Sequence, residues 1–503
     1  MTGPETCAHN EQGATLLPQI LRSDEHPALV GAAGGDTVTY AELHEAVARL
    51  AGELAGRRIG PGDAVALSSV NGPEIVIAFL AIVAAGAAAA PLNPGYTAAE
   101  FHAYLDDLRP RAMLFAGEAT AARDVCADLG IAAVELPQGP ARRLSVGGPP
   151  APIPQADPAA VALLLHTSGT TSKPKIVPLR QRNLAYSTRT IAKHYALTAD
   201  DVSVCVMPLF HVHGLLASAL ATLHSGGTVV VRSRFSPRTF WEDVVRHGGT
   251  WYSAVPTIHQ VLVARAETEP PPPHGLRFAR SCSSALSPAL QAAVEDRIGV
   301  PAVQAYGMTE ASHQMCSNPL PPGERRSGSV GPATGVEARV LDDEWRPLPP
   351  GEVGEVAVRG RSVIDGYRDN PAANEASFRD GWFRTGDSGT ISADGYVTLN
   401  GRIKELINRG GEKISPHEVE DALTSHPAVA EAVAYAVPDE RYGEQVAAAV
   451  VLRGEASAAE LARHCAGRLA AFKVPSSIAL LEAIPKGPTG KVQRRLLPEQ
   501  IGR

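Results

Sequence analysis

The chain is predicted to fold as an α/β protein in more than one domain, and three observations carry that prediction. Strand patterns alternate with amphipathic helical patterns from Thr37 to about Leu136, as expected where helices pack between strands. Its 503 residues exceed what one ordinary hydrophobic core supports. After Asn400 the composition changes: Gly401-Arg402-Ile403-Lys404-Glu405-Leu406 leads into Arg409-Gly410-Gly411-Glu412-Lys413 and a short run of strands and helices. The division is therefore placed at 1–400 and 401–503, the second part being a small α+β unit of ordinary domain size.

Thr37 to Leu43, followed by Ala46, Leu50 and Leu54, reads as a strand running into an amphipathic helix that ends near Gly56. Asp63 to Leu67 is the next strand. Ile75 to Ala90 is apolar throughout but shorter than the roughly 20 residues a membrane-spanning helix needs. It is predicted to be a buried helix, started by Asn71-Gly72-Pro73-Glu74 and stopped by Pro91-Leu92-Asn93-Pro94-Gly95. Ile131 to Leu136 is a strand, and Leu136 to Pro158, rich in Pro, Gly and Arg, is an exposed connection within the first domain. Val161 to Leu165 reads as a short buried strand and Asn183 to Tyr195 as a helix. Val202 to Met207, Gly227 to Val231, Trp251 to Val255 and Val336 to Leu341 are further strands. Pro270 to Pro273 is a stiff surface spacer. In the second part, helices at Pro416 to Leu423 and Ala458 to Leu469 accompany strands at Val429 to Val437 and Val446 to Leu452.

With 44% hydrophobic and 20% charged residues the composition is that of a globular protein. A net charge of −7 excludes a broad nucleic-acid-binding surface as the main function, so anionic ligands need local wells of positive charge. The six cysteines (Cys7, Cys126, Cys205, Cys282, Cys316, Cys465) show no paired spacing, which argues against a disulfide framework or a cysteine zinc site and for a reducing cytoplasm. The first residues lack a secretory pattern and the last three carry no peroxisomal or prenyl address.

The chemistry begins at His166-Thr167-Ser168-Gly169-Thr170-Thr171-Ser172-Lys173-Pro174-Lys175, which leaves the end of the Val161 to Leu165 strand. Gly169 lets backbone N–H groups turn inward, the hydroxyls of Thr167, Ser168, Thr170 and Thr171 can donate to phosphate oxygens, and Lys173 and Lys175 supply charge. The spacing is not that of a Walker A loop. On its own the same composition also describes a polar surface turn.

Four further stretches follow in order: Tyr306-Gly307-Met308-Thr309-Glu310, Phe383-Arg384-Thr385-Gly386-Asp387, the run from Gly401 through Gly411, and Pro485-Lys486-Gly487-Pro488-Thr489-Gly490-Lys491. Together with the loop they resemble the motifs of the adenylate-forming enzymes: acyl-CoA synthetases, peptide-synthetase adenylation domains and luciferases. The copy departs from the usual loop at Ser172 and Ile176, where glycine is common. The resemblance implies a large N-terminal domain of several mixed sheets and helices, with a small, mobile C-terminal domain. It also implies ATP, Mg²⁺ and coenzyme A as cofactors, and a cytoplasmic ligase with neither nucleic acid nor membrane as partner.

By the same resemblance, the loop residues Thr167 to Thr171 and Lys175 hold the phosphates of ATP, and Tyr306, beside Gly307, stacks on adenine. Thr309 contacts the α-phosphate, while Glu310 with Thr170 holds magnesium. Asp387 grips the ribose hydroxyls, with Arg402 as a second ribose contact. Ser283-Ser284-Ala285-Leu286 stands where many relatives have Gly-Gly-Ala-Pro, against the adenine and acyl pocket. Lys491 is the catalytic lysine, whose ammonium stabilises charge built up as the substrate carboxylate attacks the α-phosphate. Gly410 and Gly411 let pantetheine approach the backbone, and Lys404 is the hinge about which the small domain turns between the two half-reactions.

For the acid, Pro208-Leu209-Phe210-His211-Val212-His213-Gly214, Trp251 to His259, Arg280-Ser281-Cys282-Ser283-Ser284-Ala285-Leu286 and the residues after Glu310 resemble the oxalate–CoA ligase branch, as does Ser172. Gly307 and Ile176 depart from it, Gly307 standing for an alanine. A small dianion needs hydrogen-bond donors, and His211, His213, Ser283, Ser284 and His313 offer them. The alternatives are a larger acid of bacterial specialised metabolism, a stand-alone adenylation enzyme loading a carrier protein in trans, and an inactive interaction-only homologue.

Overall fold

The computed structural model describes residues 14–31, 36–115, 120–136, 152–167, 174–486, 492, 494 and 497–501. Four sheets organise it. In the first, six strands run in the order Ala132–Glu135, Ala112–Phe115, Ala64–Ser68, Ala88–Leu92, Val161–Thr167 and Lys175–Arg180. All pairs are parallel except the last, an antiparallel hairpin that sets Thr167 opposite Lys175. The hydroxyl-rich loop is the connection across the end of this hairpin. Its residues Ser168 to Lys173 lie outside the described residues, as does most of the Leu136 to Pro158 connection.

The second sheet has eight strands. His313–Ser317, Ala302–Met308, Phe278–Ser281, Trp251–Ala254, Val202–Cys205, Thr228–Val231, Pro27–Gly31 and Thr37–Thr39 lie side by side, parallel inside and antiparallel at each edge. Helices Tyr40–Gly56 and Pro73–Ala84 pack against the first two sheets and share one core with them. Thr39 starts the first of these helices with a reciprocal capping box to Glu42.

Ile75 to Ala90 requires correction as a single buried helix. The helix is Pro73–Ala84, Gly86 turns the chain at φ +82°, and Ala88–Leu92 is a strand in the middle of the first sheet. Its side chains alternate between two cores: Ala89 packs with the Pro73–Ala84 helix, and Ala88, Ala90 and Leu92 pack with Phe101 and Leu105. A strand buried on both faces shows no alternation of apolar and polar residues, so it merges with an apolar helix in the sequence.

A third, antiparallel sheet joins Gly331–Pro332, Tyr396–Arg402, Trp382–Ile391, Gly354–Arg359 and Glu337–Leu341, with Phe378–Arg379 on Trp382–Ile391. The fourth joins Glu412–Ile414, Ile407–Arg409, Gly443–Leu452 and Val429–Asp439, with Ser477–Leu481 parallel to Gly443–Leu452. Helices Pro416–Thr424 and Ala458–Ala466 cover it, burying Val419, Leu423, Leu461 and Cys465 in its own core. The overall class is the expected one, a large α/β part followed by a small α+β domain. Among the described residues no helix is long and apolar enough to cross a membrane, and Cys126, Cys205, Cys282, Cys316 and Cys465 are buried free thiols.

Candidate active site

Three sheets converge on the motif residues. Asp387 and Arg402 are partners in antiparallel register on neighbouring strands, and Arg402 Nε lies 2.8 Å from Asp387 Oδ1. Tyr306, at the end of an inner strand of the eight-stranded sheet, donates its hydroxyl to Asp387 Oδ2. Burial and the neighbouring carboxylate push the Tyr306 phenol well above its ordinary range. The structure thus unites three residues that are 81 and 15 positions apart along the chain.

Glu310 sits in the short turn Thr309–Ala311 and is buried. The Tyr367 hydroxyl donates to its Oε1 at 2.8 Å, and Lys175 Nζ lies 4.3 Å from the Tyr367 ring centre. Burial raises the Glu310 carboxyl above the ordinary range, against the lowering influence of Tyr367, Arg402 and Lys175. Burial also lowers the Lys175 ammonium. A buried carboxylate held by a neutral hydroxyl and by no direct ion pair among the described residues suits a magnesium ion whose remaining ligands are phosphate oxygens. Thr170 lies outside the described residues. Ile176, next to Lys175, buries its side chain among Leu164, Leu92 and Phe101, so its departure from glycine fills a core position.

The candidate acyl pocket lies where the second sheet ends. His213 begins the π-helix His213–Leu220. Gly214 is required there, since a Cβ would stand 2.3 Å from the Pro208 carbonyl oxygen, and Asn71 fixes the preceding segment by bonding Met207 O and Leu209 N, each at 2.9 Å. His213 Nδ1 is 3.0 Å from Ser283 Oγ and Nε2 is 2.7 Å from Ser253 Oγ. The His213 and His313 rings are 5.1 Å apart. Burial first, then the charge of Arg280, holds both imidazoles well below the usual histidine range, so both are neutral. Ser283, Ser312 and His313 have φ of +72°, +52° and +87°. Left-handed backbone at three non-glycine residues around one pocket is strain of the kind stored at functional sites, on the order of 1–3 kcal/mol each.

The remaining expected residues are placed as follows. His211 Nδ1 accepts from the His213 backbone N–H at 3.3 Å. Thr309 is half-buried beside Glu310, while Ser284 and Ala285 are exposed. Both His213 ring nitrogens are engaged, Nδ1 by Ser283 and Nε2 by Ser253. Gly410 and Gly411, at φ +61° and +97°, form the turn between Ile407–Arg409 and Glu412–Ile414 in the fourth sheet. Lys404 lies in the turn Ile403–Glu405 that follows Arg402, and Lys491 lies outside the described residues. Sequence reasoning missed Tyr367 and Arg280. Nothing marks Tyr367, but an arginine inside the apolar strand Phe278–Ser281 is a visible anomaly.

The AMP-binding enzyme description matches residues 18–368, and the C-terminal domain of AMP-binding enzymes matches 418–491. The chain belongs to the AMP-binding enzyme family. It is an ATP-dependent, AMP-forming acid–CoA ligase: a carboxylic acid becomes an acyl-adenylate, which passes its acyl group to CoA. An oxalate–CoA ligase of Arabidopsis thaliana is 44% identical, covering 97% of this chain and 98% of that one. One from Saccharomyces cerevisiae is 43% identical, covering 88% and 87%. Among solved structures, the O-succinylbenzoate CoA synthetase of Bacillus subtilis is 31% identical, covering 96% of this chain and 98% of its own. The TM-score is 0.83 to its complex with ATP and magnesium and 0.85 to that with the acyl-adenylate. In this AMP-binding enzyme, Tyr306, Asp387 and Arg402 form one connected group and Glu310, Tyr367 and Lys175 a second.

Proposed function

We propose that the acid is oxalate and that the product is oxalyl-CoA. The observation that carries this reading is the acyl pocket: Ser283, His213 and His313 gather neutral hydrogen-bonding groups beside the buried cation Arg280. An acceptor-only dianion satisfies such a pocket, whereas a fatty chain would strand its polar groups. Two oxalate–CoA ligases among the relatives support the same acid.

In this reading one carboxylate oxygen of oxalate attacks the α-phosphorus of ATP, and pyrophosphate leaves. The CoA thiol then attacks the adenylate carbonyl, gives up its proton, and AMP leaves. Asp387 and Arg402 hold the ribose, Tyr306 lies along adenine, and Thr309 and Lys175 bind phosphate with Thr167 to Thr171. Glu310 and Thr170 would hold magnesium, which would supply charge neutralisation on the phosphates. Lys491 stabilises the first transition state, and Gly410–Gly411 admit pantetheine in the second step. The division at 400/401, with Lys404 as hinge, lets the small domain serve both steps in turn.

Pyrophosphate release measured with oxalate, malonate, succinate, octanoate and ferulate tests the substrate. Oxalate is expected to exceed each other acid in kcat/KM by at least roughly tenfold. A higher value for octanoate or ferulate overturns oxalate.

A further inference from the structure

Arg280 is fully buried, and its guanidinium bonds Tyr195 Oη at 2.9 Å, Ser253 Oγ at 2.9 Å, His313 Nδ1 at 3.3 Å and Gln314 Oε1 at 3.0 Å, with the Cys282 side chain as a further partner. No carboxylate among the described residues pairs with it. A guanidinium only donates, so each atom it bonds must accept from it. Ser253, in register beside Arg280 on the adjacent strand, accepts from Nη1 and must direct its own hydrogen to His213 Nε2, 2.7 Å away. The reverse arrangement would leave a buried hydroxyl hydrogen without an acceptor. His213 then carries its proton on Nδ1 and donates to Ser283 Oγ at 3.0 Å, which leaves the Ser283 hydroxyl hydrogen to donate outward. On the second arm, His313 accepts at Nδ1 and carries its proton on Nε2.

We infer that Arg280 is the specificity-setting positioning residue of the acyl pocket: one buried guanidinium orders two relays that end in donors, Ser283 O–H and His313 Nε2–H, and the carboxylate of the acid not undergoing activation is its missing counter-ion. The assignment of that ligand rests on the oxalate reading; the proton order does not. A pocket of aligned donors accepts a carboxylate and rejects its amide, whose NH₂ can only donate.

The test combines tautomer measurement with kinetics on the intact enzyme. Two-bond proton–nitrogen correlation NMR on enzyme carrying isotope-labelled histidine, assigned with His213→Gln and His313→Gln, should show His213 as the Nδ1–H and His313 as the Nε2–H form. Either opposite tautomer overturns the relay whatever the substrate is. Oxalate against its monoamide, oxamate, reads the selectivity. Ser253→Ala, which breaks only the His213 arm, should raise the KM for oxalate and cut the oxalate-over-oxamate preference by roughly tenfold, with KM for MgATP and the His313 tautomer unchanged. Arg280→Met should abolish both the fixed tautomers and the preference; if it does not fold, Ser253→Ala decides. An unchanged preference in Ser253→Ala contradicts the proposal. A wild-type enzyme with the expected tautomers that turns over another acid but not oxalate removes the substrate and keeps the proton order.

Discussion

At the level of single residues, the site is built from charges held by neighbours that only the fold supplies. Asp387 receives the Tyr306 hydroxyl and pairs with Arg402, so Asp387→Ala strands two donors and, on the proposed role, removes a ribose acceptor. Initial-rate kinetics should show KM for MgATP raised by roughly two orders of magnitude, about 3 kcal/mol, the usual scale for truncating a buried charged partner. The motifs single out Tyr306, Glu310, Asp387 and Arg402 in the sequence, and the fold brings Tyr306, Asp387 and Arg402 into contact. Tyr367 is not singled out, since it reaches Glu310 across 57 positions without a motif. Buried histidines add a pH dependence. Burial pushes His259 down to about 4 from 6.5, with Nδ1 3.1 Å from the Tyr252 hydroxyl. It stays neutral when folded and takes up a proton on unfolding, so its stabilising contribution is present above 6.5 and lost as pH falls toward 4. Near pH 5 the loss is about 2 kcal/mol. Thermal unfolding from pH 7 to pH 5 should therefore show a falling Tm, and His259→Gln should make that fall shallower.

At the level of elements, the hairpin Ala302–Met308/His313–Ser317 carries residues of both proposed halves of the site, Tyr306 for the nucleotide and His313 for the acid. Its register shifts between Tyr306 and Gly307. A Cβ at Gly307 would stand 1.8 Å from the His313 carbonyl oxygen, so the glycine that departs from the alanine of the oxalate branch makes the bulge possible. Gly307→Ala should lower stability by at least about 2 kcal/mol in denaturant unfolding and raise KM for the acid more than for MgATP; an unchanged stability would show that the backbone of His313 is free to shift. Most elements were readable from periodicity, as the helix Tyr40–Gly56 and the strand Val429–Asp439 show. The strand Ala88–Leu92 was not, because burial on both faces erases the alternation on which such reading depends.

At the level of the whole molecule, the proposed two-step reaction requires the small domain to present two different surfaces to one carbonyl. Lys404 lies two residues after Arg402, the end of the third sheet's strand Tyr396–Arg402, and precedes the fourth-sheet strand Ile407–Arg409, a position where a change of φ and ψ reorients everything beyond it. Lys404→Pro should impair oxalyl-CoA formation from preformed adenylate at least roughly tenfold more than ATP–pyrophosphate exchange, whereas Lys491→Ala should reverse that ratio. Equal loss of both half-reactions in Lys404→Pro would argue against a hinge there. Two-step ligation of oxalate is tested by incubating purified enzyme with ATP, Mg²⁺ and oxalate, adding CoA, and following every product by mass spectrometry. Oxalyl-adenylate and pyrophosphate are expected before CoA is added, then oxalyl-CoA with one AMP for each thioester; ADP and phosphate, or no reaction with oxalate while a bulky acid turns over, would contradict two-step oxalate ligation.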